Sequence, residues 1–330
     1  MERFVINQAV ALGGLEQAIQ IKGTNKKNPL LLIIHGGPGC SEMGISAEYQ
    51  YPWEEKYTVV NWDQRYVGKT ALLSGSEAKS SFSMDDIVED AHELCLWLLK
   101  EFGKAKLVVM GHSWGTVIGS QLAYRYPELL YGYIGWGQVA NMIKNDRVSF
   151  AHVREEALTR NDKKTLKKIN NWKGYPNSDS PREEMLKNLF GLTTIKYGYG
   201  YSSVKYPSVA KEYRHHLKSA KRNPDYPNGA IPYMSNARPY LDIMFGDLMK
   251  FDLLEYCPVF KVPVLFVFGD NDWQTPYVVT KEYLEKIEAS RKAFDLIKDA
   301  GHSTALDQPE EFAKYLTETA YKIIFESKQQ

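Results

Sequence analysis

Continuous apolar runs of strand length occur toward both ends of the chain. They are PLLLIIH at 29–35, YTVVNW at 57–62, LVVM at 107–110 and PVLFVFG at 263–269. Runs without polar alternation are typical of parallel strands that are covered on both faces. The pattern therefore predicts a mostly parallel sheet at the centre of the fold.

Segments with helical periodicity separate these runs. In the segment 83–103, Ser83 and Asp86 have the spacing of a capping box, and Gly103 ends the apolar pattern. Further helices are predicted at 116–126, 278–287 and 312–325, and further strands at 131–135 and 292–297. Strands that alternate with helices predict the α/β class, with right-handed crossovers and helices on both faces of the sheet.

The N-terminal segments alternate loosely between apolar and polar residues. Segments 3–6 and 15–21 lie on either side of Gly13 and Gly14. This arrangement predicts a hairpin at the edge of the sheet. We expect its strands only to flank the core.

The middle of the chain has a different character. Residues 141–251 are rich in charge and tyrosine and contain no apolar run of strand length. We predict a core formed by residues 1–140 and 252–330, with residues 141–251 as an inserted helical cap over the strand ends. Within the cap, YGYGY at 197–201 either lines a substrate pocket or packs the cap against the core.

Composition and charge exclude several classes of partner. The 330 residues are 44% apolar, enough for a large core plus an insertion, and the net charge is +1. Such a balance gives no general attraction to nucleic acid or to an anionic membrane. The lysines at 163, 164, 167, 168 and 173 fit a solvated helix face. We expect no nucleic-acid partner and no membrane partner.

The cysteines and the N-terminus predict a compartment. Cys40, Cys95 and Cys257 are few and widely spaced, which fits free thiols in a reducing environment. The N-terminal residues lack a basic start followed by an apolar run, and no segment approaches the ~18 apolar residues needed to span a bilayer. We therefore expect a cytoplasmic protein.

The clearest chemical motif is GHSWG at 111–115, between a predicted strand and a predicted helix. The G-x-S-x-G spacing allows a sharp turn that leaves the central Ser113 exposed above the sheet. Because a helix begins directly after this serine, the backbone N–H of Trp114 points toward any group that Ser113 attacks. The motif predicts a nucleophilic serine.

A second loop complements this turn. HGGPG at 35–39 follows a buried strand, but it lacks the spacing of the glycine-rich loops that bind phosphate. In hydrolases with a serine on a sharp turn, a glycine-rich loop of this kind supplies the second donor to the oxyanion, and Gly37 is our candidate. A tight turn without a ligand remains the alternative.

Acid and base candidates follow the last strands. Asp270 and Asp272 lie directly after the strand at 263–269, and His302 follows the strand at 292–297. The chain order serine, aspartate, histidine is typical of one hydrolase architecture, and we favour Asp272 over Asp270. His215 and His216 are adjacent, so their rings diverge on a helix, and we expect neither a metal nor a cofactor.

Four motifs together carry a resemblance. HGGPG at 35–39, WDQR at 62–65, GHSWGT at 111–116 and AGHS at 300–303 resemble the proline iminopeptidase group of the alpha/beta hydrolase superfamily. The resemblance implies the alpha/beta hydrolase fold. It implies that Ser113 is the nucleophile, that Asp272 and His302 complete the catalytic triad, and that Gly37 and Trp114 form the oxyanion hole.

The chain departs from this group at several positions. Tyr66 and Val67 replace the small residues that usually follow WDQR, and Gly111-His112 replaces the usual pair of glycines. Asp63 and Arg65 of WDQR either order the loops around the site or form a solvated turn. The group holds the substrate ammonium with cap glutamates, for which the candidates here are Glu155, Glu156, Glu183, Glu184 and Glu212.

Three functions remain open at this stage. The first is an aminopeptidase that releases an N-terminal proline or another small apolar residue through an acyl-enzyme. The second is a carboxylesterase or lactonase that acts on small acyl esters, and the third is a non-catalytic ligand-binding protein. We expect a short peptide or another small molecule as the substrate; the sequence leaves the oligomeric state open.

Overall fold

A computed structural model describes residues 2–77, 81–172, 175, 182–195, 197, 203–206 and 208–326. Lys173 and residues 198–201 of the YGYGY segment lie outside the described residues. The strands are β1 (Phe4–Leu12), β2 (Leu15–Gly23), β3 (Leu30–Ile34), β4 (Thr58–Trp62), β5 (Leu107–His112), β6 (Leu130–Trp136), β7 (Val259–Phe260), β8 (Val264–Gly269), β9 (Glu288–Ala289) and β10 (Lys292–Ile297).

Helices connect most of these strands. The α-helices are α1 (Gly68–Ser74), α2 (Met84–Phe102), α3 (Trp114–Arg125), α4 (Met142–Thr159), α5 (Lys163–Ile169), α6 (Arg182–Leu192), α7 (Val209–Arg222), α8 (Arg238–Lys250), α9 (Leu253–Tyr256), α10 (Tyr277–Lys286), α11 (Thr304–Asp307), α12 (Pro309–Lys314) and α13 (Tyr321–Phe325). Shorter 3-10 turns cover Ser46–Glu48, Tyr51–Glu55, Pro127–Leu129 and Asn228–Tyr233, and a π-helical turn covers Tyr315–Ala320.

The main sheet has eight strands in the order β1-β2-β4-β3-β5-β6-β8-β10. The pairs from β4 to β10 are parallel, and β1 and β2 add two antiparallel strands at one edge. This confirms the predicted α/β class and the mostly parallel sheet of the alpha/beta hydrolase fold. Because parallel strands point the same way, the carboxyl ends of β3, β5, β6, β8 and β10 lie at one edge.

Helices cover both faces of the sheet, as predicted. In β3, Leu30 and Leu32 pack into a cluster with Ile87 of α2 and Val117 of α3. The alternate residue Leu31 packs on the opposite face into a second cluster, which includes residues of α12 and the π-helical turn. Strand alternation with apolar residues in both directions therefore builds two apolar layers around one buried sheet.

The N-terminal hairpin corrects one expectation. Its strands are longer than predicted, and β2 pairs with β4 through Ile19 and Ile21, which are both buried. The prediction that these strands only flank the core is wrong, because β2 joins the main sheet. Its burial pattern is nearly continuous rather than alternating, so the sequence pattern at 15–21 understated its place in the core.

The predicted ends of α2 are confirmed, whereas the start of the last predicted helix of the chain is corrected. The Ser83 hydroxyl accepts the N–H of Asp86, the Asp86 carboxylate accepts the N–H of Ser83, and Gly103 ends the helix at φ 59°. The helix predicted at 312–325 instead begins at Pro309 and passes through the π-helical turn. Proline at the first helical position needs no N–H partner, which explains the earlier start.

The chain between β6 and β7 is mainly helical and includes α4 to α8. Its two ends meet where Asn141 and Asp252 form an isolated β-bridge and a side-chain hydrogen bond of 2.8 Å. The division into a core of residues 1–140 and 252–330 and a cap of residues 141–251 stays a prediction. Across the described residues, every helix is too short or too polar to cross a lipid bilayer.

Candidate active site

A cavity of about 860 Å³ lies at the carboxyl ends of the parallel strands. Loops after β3, β5, β6, β8 and β10 form one side of it, and α7 and α8 contribute to the other side. Open α/β sheets bind ligands at this edge, because the loops that follow the strands converge there. The cavity contains Gly37, Ser113, Trp114 and His302 from the sequence prediction.

The turn at Ser113 has the predicted strand-turn-helix form. Ser113 adopts φ 52° and ψ −120°, a region that residues with a side chain rarely occupy. Gly115 must be glycine, because a Cβ there would lie 1.9 Å from the carbonyl oxygen of Ile34. The close approach of β3 and α3 therefore forces the turn, and the turn places Ser113 at the cavity wall.

His302 and Asp272 lie against each other. The Nδ1 atom of His302 is 2.8 Å from Oδ2 of Asp272, and both residues are buried. Asp272 also accepts the N–H groups of Gln274 and Thr275, at 2.9 and 3.0 Å. Burial alone would raise the pKa of Asp272, but His302 and the N–H and hydroxyl of Thr275 outweigh it, and the pKa is lowered. Asp272 is therefore an ionised partner for His302.

Asp270 has other partners. Its carboxylate accepts the side chain of Asn271 at 2.8 Å and the N–H of Ala300 at 3.3 Å. These bonds join the loop after β8 to the loop after β10. The structure thus pairs Asp272 rather than Asp270 with His302, and the catalytic role of Asp272 stays a prediction.

The glycine-rich loop approaches Ser113 closely. A Cβ at Gly36 would lie 3.1 Å from Cβ of Ser113. Gly37 has φ 122°, and a Cβ there would lie 2.5 Å from the backbone nitrogen of Gly39, so only glycine fits. Trp114 is the first residue of α3, where N–H groups have no partner within the helix. Gly37 and Trp114 both line the cavity beside Ser113.

The WDQR segment orders these loops. Gln64 accepts the indole N–H of Trp114 at 3.2 Å and donates to the carbonyl of His35 at 3.0 Å. Asp63 accepts the hydroxyl of Ser41 and the N–H of Lys69. Arg65 forms a buried ion pair with Asp90 of α2. The alternative of a solvated turn is wrong, since Asp63 is fully buried and Arg65 nearly so.

A buried pair beside Ser113 was not predicted from the sequence. Nδ1 of His112 contacts Oε1 of Glu42, and Nε2 of His112 is 3.2 Å from the carbonyl oxygen of His302. The His112 ring stacks on Trp136 with ring centres 3.7 Å apart. Burial would raise the pKa of Glu42, but His112 outweighs it and the pKa is lowered. The only signal in the sequence was a histidine directly before the serine.

One of the five candidate cap glutamates lines the cavity. Glu212 of α7 is 5% exposed and accepts the hydroxyl of Ser303. Its Oε1 lies 3.7 Å from Nε2 of His216. Burial raises the pKa of Glu212 to about 7 and lowers the pKa of His216 to about 4. Glu155, Glu183 and Glu184 are exposed, and Glu156 pairs with Arg160.

The remaining wall is largely apolar. These side chains come from the loop after β6, from the start of α4 and from α8: Val139, Met142, Leu241, Phe245, Leu248 and Met249. An apolar wall with a few polar groups is the usual composition of a small-molecule site. His215, by contrast, pairs with Glu48 at 2.6 Å and does not line this cavity. Within the described part of the chain, no three His, Cys, Asp or Glu residues converge as metal ligands.

The chain matches the model of one protein family. The family is described as having the alpha/beta hydrolase fold, and the match covers residues 29–309. This range includes Ser113, Asp272 and His302. It therefore covers the main sheet from β3 onward and the loops that form the cavity.

Individual relatives cover nearly the whole chain. A Bacillus subtilis protein named "Probable aminopeptidase YbaC" is 28% identical over 318 residues, which are 96% of each chain. A proline iminopeptidase of Lactobacillus helveticus is 20% identical, covering 95% of this chain and 97% of its own. The crystal structure of a proline iminopeptidase-related protein from Thermus thermophilus superposes with a TM-score of 0.68 at 20% identity, covering 98% and 99% of the two chains.

Proposed function

Because the chain belongs to the family with the alpha/beta hydrolase fold, we propose that it is a serine hydrolase that works through an acyl-enzyme. We further propose that it releases an N-terminal proline or another small apolar residue from short peptides. One observation carries the proposal: the Asp272–His302 pair, with 2.8 Å between Oδ2 and Nδ1, adjoins a cavity that Ser113 and Glu212 also line.

The geometry supports a division of roles among the three residues. Nδ1–H of His302 donates to Asp272, which leaves Nε2 as the basic atom. A serine hydroxyl is a weak nucleophile near neutral pH, so Nε2 must take its proton during attack. The ionised Asp272 then stabilises the imidazolium that forms. The scissile C–N bond then breaks, Nε2 gives its proton to the leaving amine, and Ser113 is left acylated. Water, deprotonated by the same histidine, attacks the acyl group and releases it as a carboxylic acid while Ser113 regains its proton.

Charge on the carbonyl oxygen needs its own partners. The backbone N–H groups of Gly37 and Trp114 adjoin the cavity beside Ser113 and are the proposed donors. Such donors act most strongly on the tetrahedral intermediate, and the loss of one costs about 3 kcal/mol in hydrolases of this type. The conformational requirement for glycine at position 37 supports this role.

Glu212 supports the preference for peptides with a free N-terminus. When ionised, its carboxylate would accept the substrate ammonium, whereas the carboxylate of Glu42 is already paired with His112. Ser303, which directly follows His302, donates its hydroxyl to Glu212. This bond places the proposed ammonium site near His302 and therefore near the scissile bond. The printed names of the relatives, an aminopeptidase and a proline iminopeptidase, agree with this reaction.

A specific observation also favours a carboxylesterase or lactonase. Since the pKa of Glu212 is about 7, a large fraction of this carboxyl is neutral at neutral pH. The apolar residues of α8 would then suit an uncharged acyl chain. The proposed aminopeptidase and the proposed esterase share the serine chemistry. They differ in whether Glu212 binds the ammonium group of the substrate.

Substrate panels separate the two candidates. We expect hydrolysis of prolyl and leucyl anilides to exceed hydrolysis of short acyl nitrophenyl esters in kcat/KM. Ser113→Ala should abolish both activities, whereas Ser235→Ala, which removes another serine of the cavity wall, should retain them. Ester turnover without anilide turnover would instead identify an esterase.

A fluorophosphonate probe tests the serine chemistry without a known substrate. We expect wild-type protein to be labelled and Ser113→Ala to remain unlabelled. Absence of labelling in the wild type, or equal labelling of the variant, would favour a non-catalytic ligand-binding protein.

A further inference from the structure

The buried pair of His112 and Glu42 contacts three loops of the site at once. His112 directly precedes Ser113, and its Nε2 lies 3.2 Å from the carbonyl oxygen of His302. Its Nδ1 contacts Glu42, whose Oε1 also accepts the N–H of Gly36 at 3.4 Å. The pair therefore bridges the serine turn, the histidine loop and the glycine-rich loop.

The partners of the ring determine its protonation. One nitrogen faces a carbonyl oxygen, which is only an acceptor, and the other faces a carboxyl oxygen. A neutral imidazole has a single N–H and can satisfy one such acceptor. The doubly protonated ring satisfies both, with Glu42 as its counter-ion. Stacking on Trp136 further favours the cation.

We propose that His112 is a positioning residue for the proposed hydrolase. Paired with Glu42, its imidazolium donates to the His302 carbonyl and fixes the positions of the three loops relative to one another. The inference rests on the proposed serine chemistry, because positioning matters only if His302 acts on Ser113. His112 itself contacts neither reacting atom. Its effect passes through the backbone of the loop that carries His302.

Other titratable groups face the pair from each surrounding element. Tyr49, which directly follows the 3-10 turn Ser46–Glu48, donates its hydroxyl to Oε2 of Glu42 at 3.5 Å. His35 lies on the glycine-rich loop, His302 on the loop after β10, and Glu212 and His216 on α7. The His112–Glu42 pair is neutral as a unit. It therefore gives the neighbouring His302 a donor to its backbone without adding net charge beside a ring that must become cationic during the reaction.

The first test replaces the ring atoms and keeps the stacking. In His112→Phe, an aromatic ring remains against Trp136, but both N–H donors are lost. We expect the maximal rate of fluorophosphonate labelling at Ser113 to fall roughly 10- to 100-fold, because small displacements of catalytic groups have effects of this size. The affinity of the probe for the cavity should stay the same. His112→Gln, which keeps one donor, should recover part of the rate.

The second test separates positioning from stability. His112→Phe alone leaves Glu42 buried without a counter-ion and should lower Tm. The double variant Glu42→Met with His112→Phe replaces the pair by apolar groups, which often restores stability. We expect Tm to recover while the labelling rate stays low. A double variant that regains both Tm and rate would show that the pair is only structural, and the proposal would fail.

A matched control comes from a second glutamate–histidine pair. Glu48 and His215 are in contact at 2.6 Å outside the cavity wall. Glu48→Met with His215→Phe should leave the labelling rate unchanged. An equal loss of rate in this control would overturn the specific role of His112.

Nitrogen-15 spectra of the wild-type histidines give a readout that does not depend on any variant folding well. We expect Nε2 of His112 to carry the proton that donates to the His302 carbonyl oxygen, and an unprotonated Nε2 would refute the proposal. Labelling of the wild type by itself tests the serine chemistry. Failure of the proposed function and failure of this inference are therefore distinguishable.

Discussion

The two sides of the cavity are built in different ways. We call the loops after β3, β5, β8 and β10 the floor, and helices α7 and α8 the roof. In the floor, backbone geometry fixes the groups: Ser113 has a positive φ, and Gly37 tolerates no side chain. The roof presents side chains from regular helices. Under the proposed function, the chemistry therefore depends on backbone geometry in the floor, and substrate selectivity depends on side chains in the roof.

Two carboxyl groups, one in the floor and one in the roof, have pKa values that are shifted in opposite directions. Asp272 in the floor is buried, but His302 and the N–H and hydroxyl of Thr275 lower its pKa. Glu212 in the roof is also buried and accepts a bond from Ser303, yet burial dominates and its pKa rises to about 7. Carboxyls with opposite shifts in one site often have different tasks. Under the proposed function, Asp272 orients His302 and Glu212 binds the substrate ammonium.

The largest effect should come from the carboxyl of the floor. Asp272→Asn keeps the size of the side chain but favours the wrong tautomer of His302, and we expect kcat to fall about 10⁴-fold. Asp270→Asn is the matched control, because Asp270 bonds Asn271 and Ala300 instead of His302. Steady-state kinetics on one substrate would compare them. Equal losses in both variants would contradict the assignment.

The next largest effect should come from a change in the backbone of the floor, which the proposal requires for oxyanion binding. Gly37→Ala introduces a Cβ that would clash with the backbone of Gly39, so the proposed oxyanion donor must move. We expect kcat to fall roughly 10²- to 10³-fold, as for the loss of one oxyanion donor. Gly246→Ala in α8 meets no neighbour and should leave kcat unchanged. Similar kcat values for the two variants would remove the distinction between floor and roof.

The floor was largely predictable from the sequence. Ser113, Asp272 and His302 each follow a strand, and parallel strands bring their carboxyl ends to one edge. The pair of His112 and Glu42 was not predictable, because it joins residues 70 positions apart through loop geometry that no spacing specifies. The sequence gives the position of Glu42 but does not indicate which side chain it contacts.

The roof was less predictable for a physical reason. Five cap glutamates were equivalent in the sequence, and only burial on one face of α7 distinguishes Glu212 from them. Burial of a helix face depends on how the helix packs, and α7 packs across the strand ends rather than beside a neighbouring strand. The same uncertainty affected β2, whose burial depends on its pairing with β4.

A smaller effect should come from the carboxyl of the roof. Glu212→Gln removes the proposed acceptor for an ammonium, and we expect KM for anilides to rise roughly tenfold, as for the loss of a hydrogen bond to a charged group. Ester hydrolysis should change less. Glu48→Gln, on the same side of the molecule but outside the cavity wall, is the control. A rise in KM of the same size for esters would exclude recognition of the ammonium.

The ionisation of Glu212 also predicts how the preference for anilides over esters changes with pH. The pKa of Glu212 is raised to about 7, so the carboxyl is neutral below that pH and charged above it. The ratio of anilide to ester kcat/KM should therefore rise as pH increases through about 7, and it should fall again above roughly pH 8, where the α-amino group of the anilide loses its proton. In Glu212→Gln the ratio should be flat over the same range.

The smallest predicted effect tests the single bond that joins floor and roof. The Ser303 hydroxyl donates to Glu212 and so favours the charged carboxylate. Ser303→Ala removes that donor, which should raise the pKa of Glu212 further and move the midpoint of the anilide-to-ester ratio up by about one pH unit or less. Ser235→Ala, which removes a cavity hydroxyl without this contact, should leave the midpoint in place. A midpoint that moves down, or that moves equally in both variants, would show that Ser303 does not control the charge of Glu212, and the roof would then titrate independently of the floor.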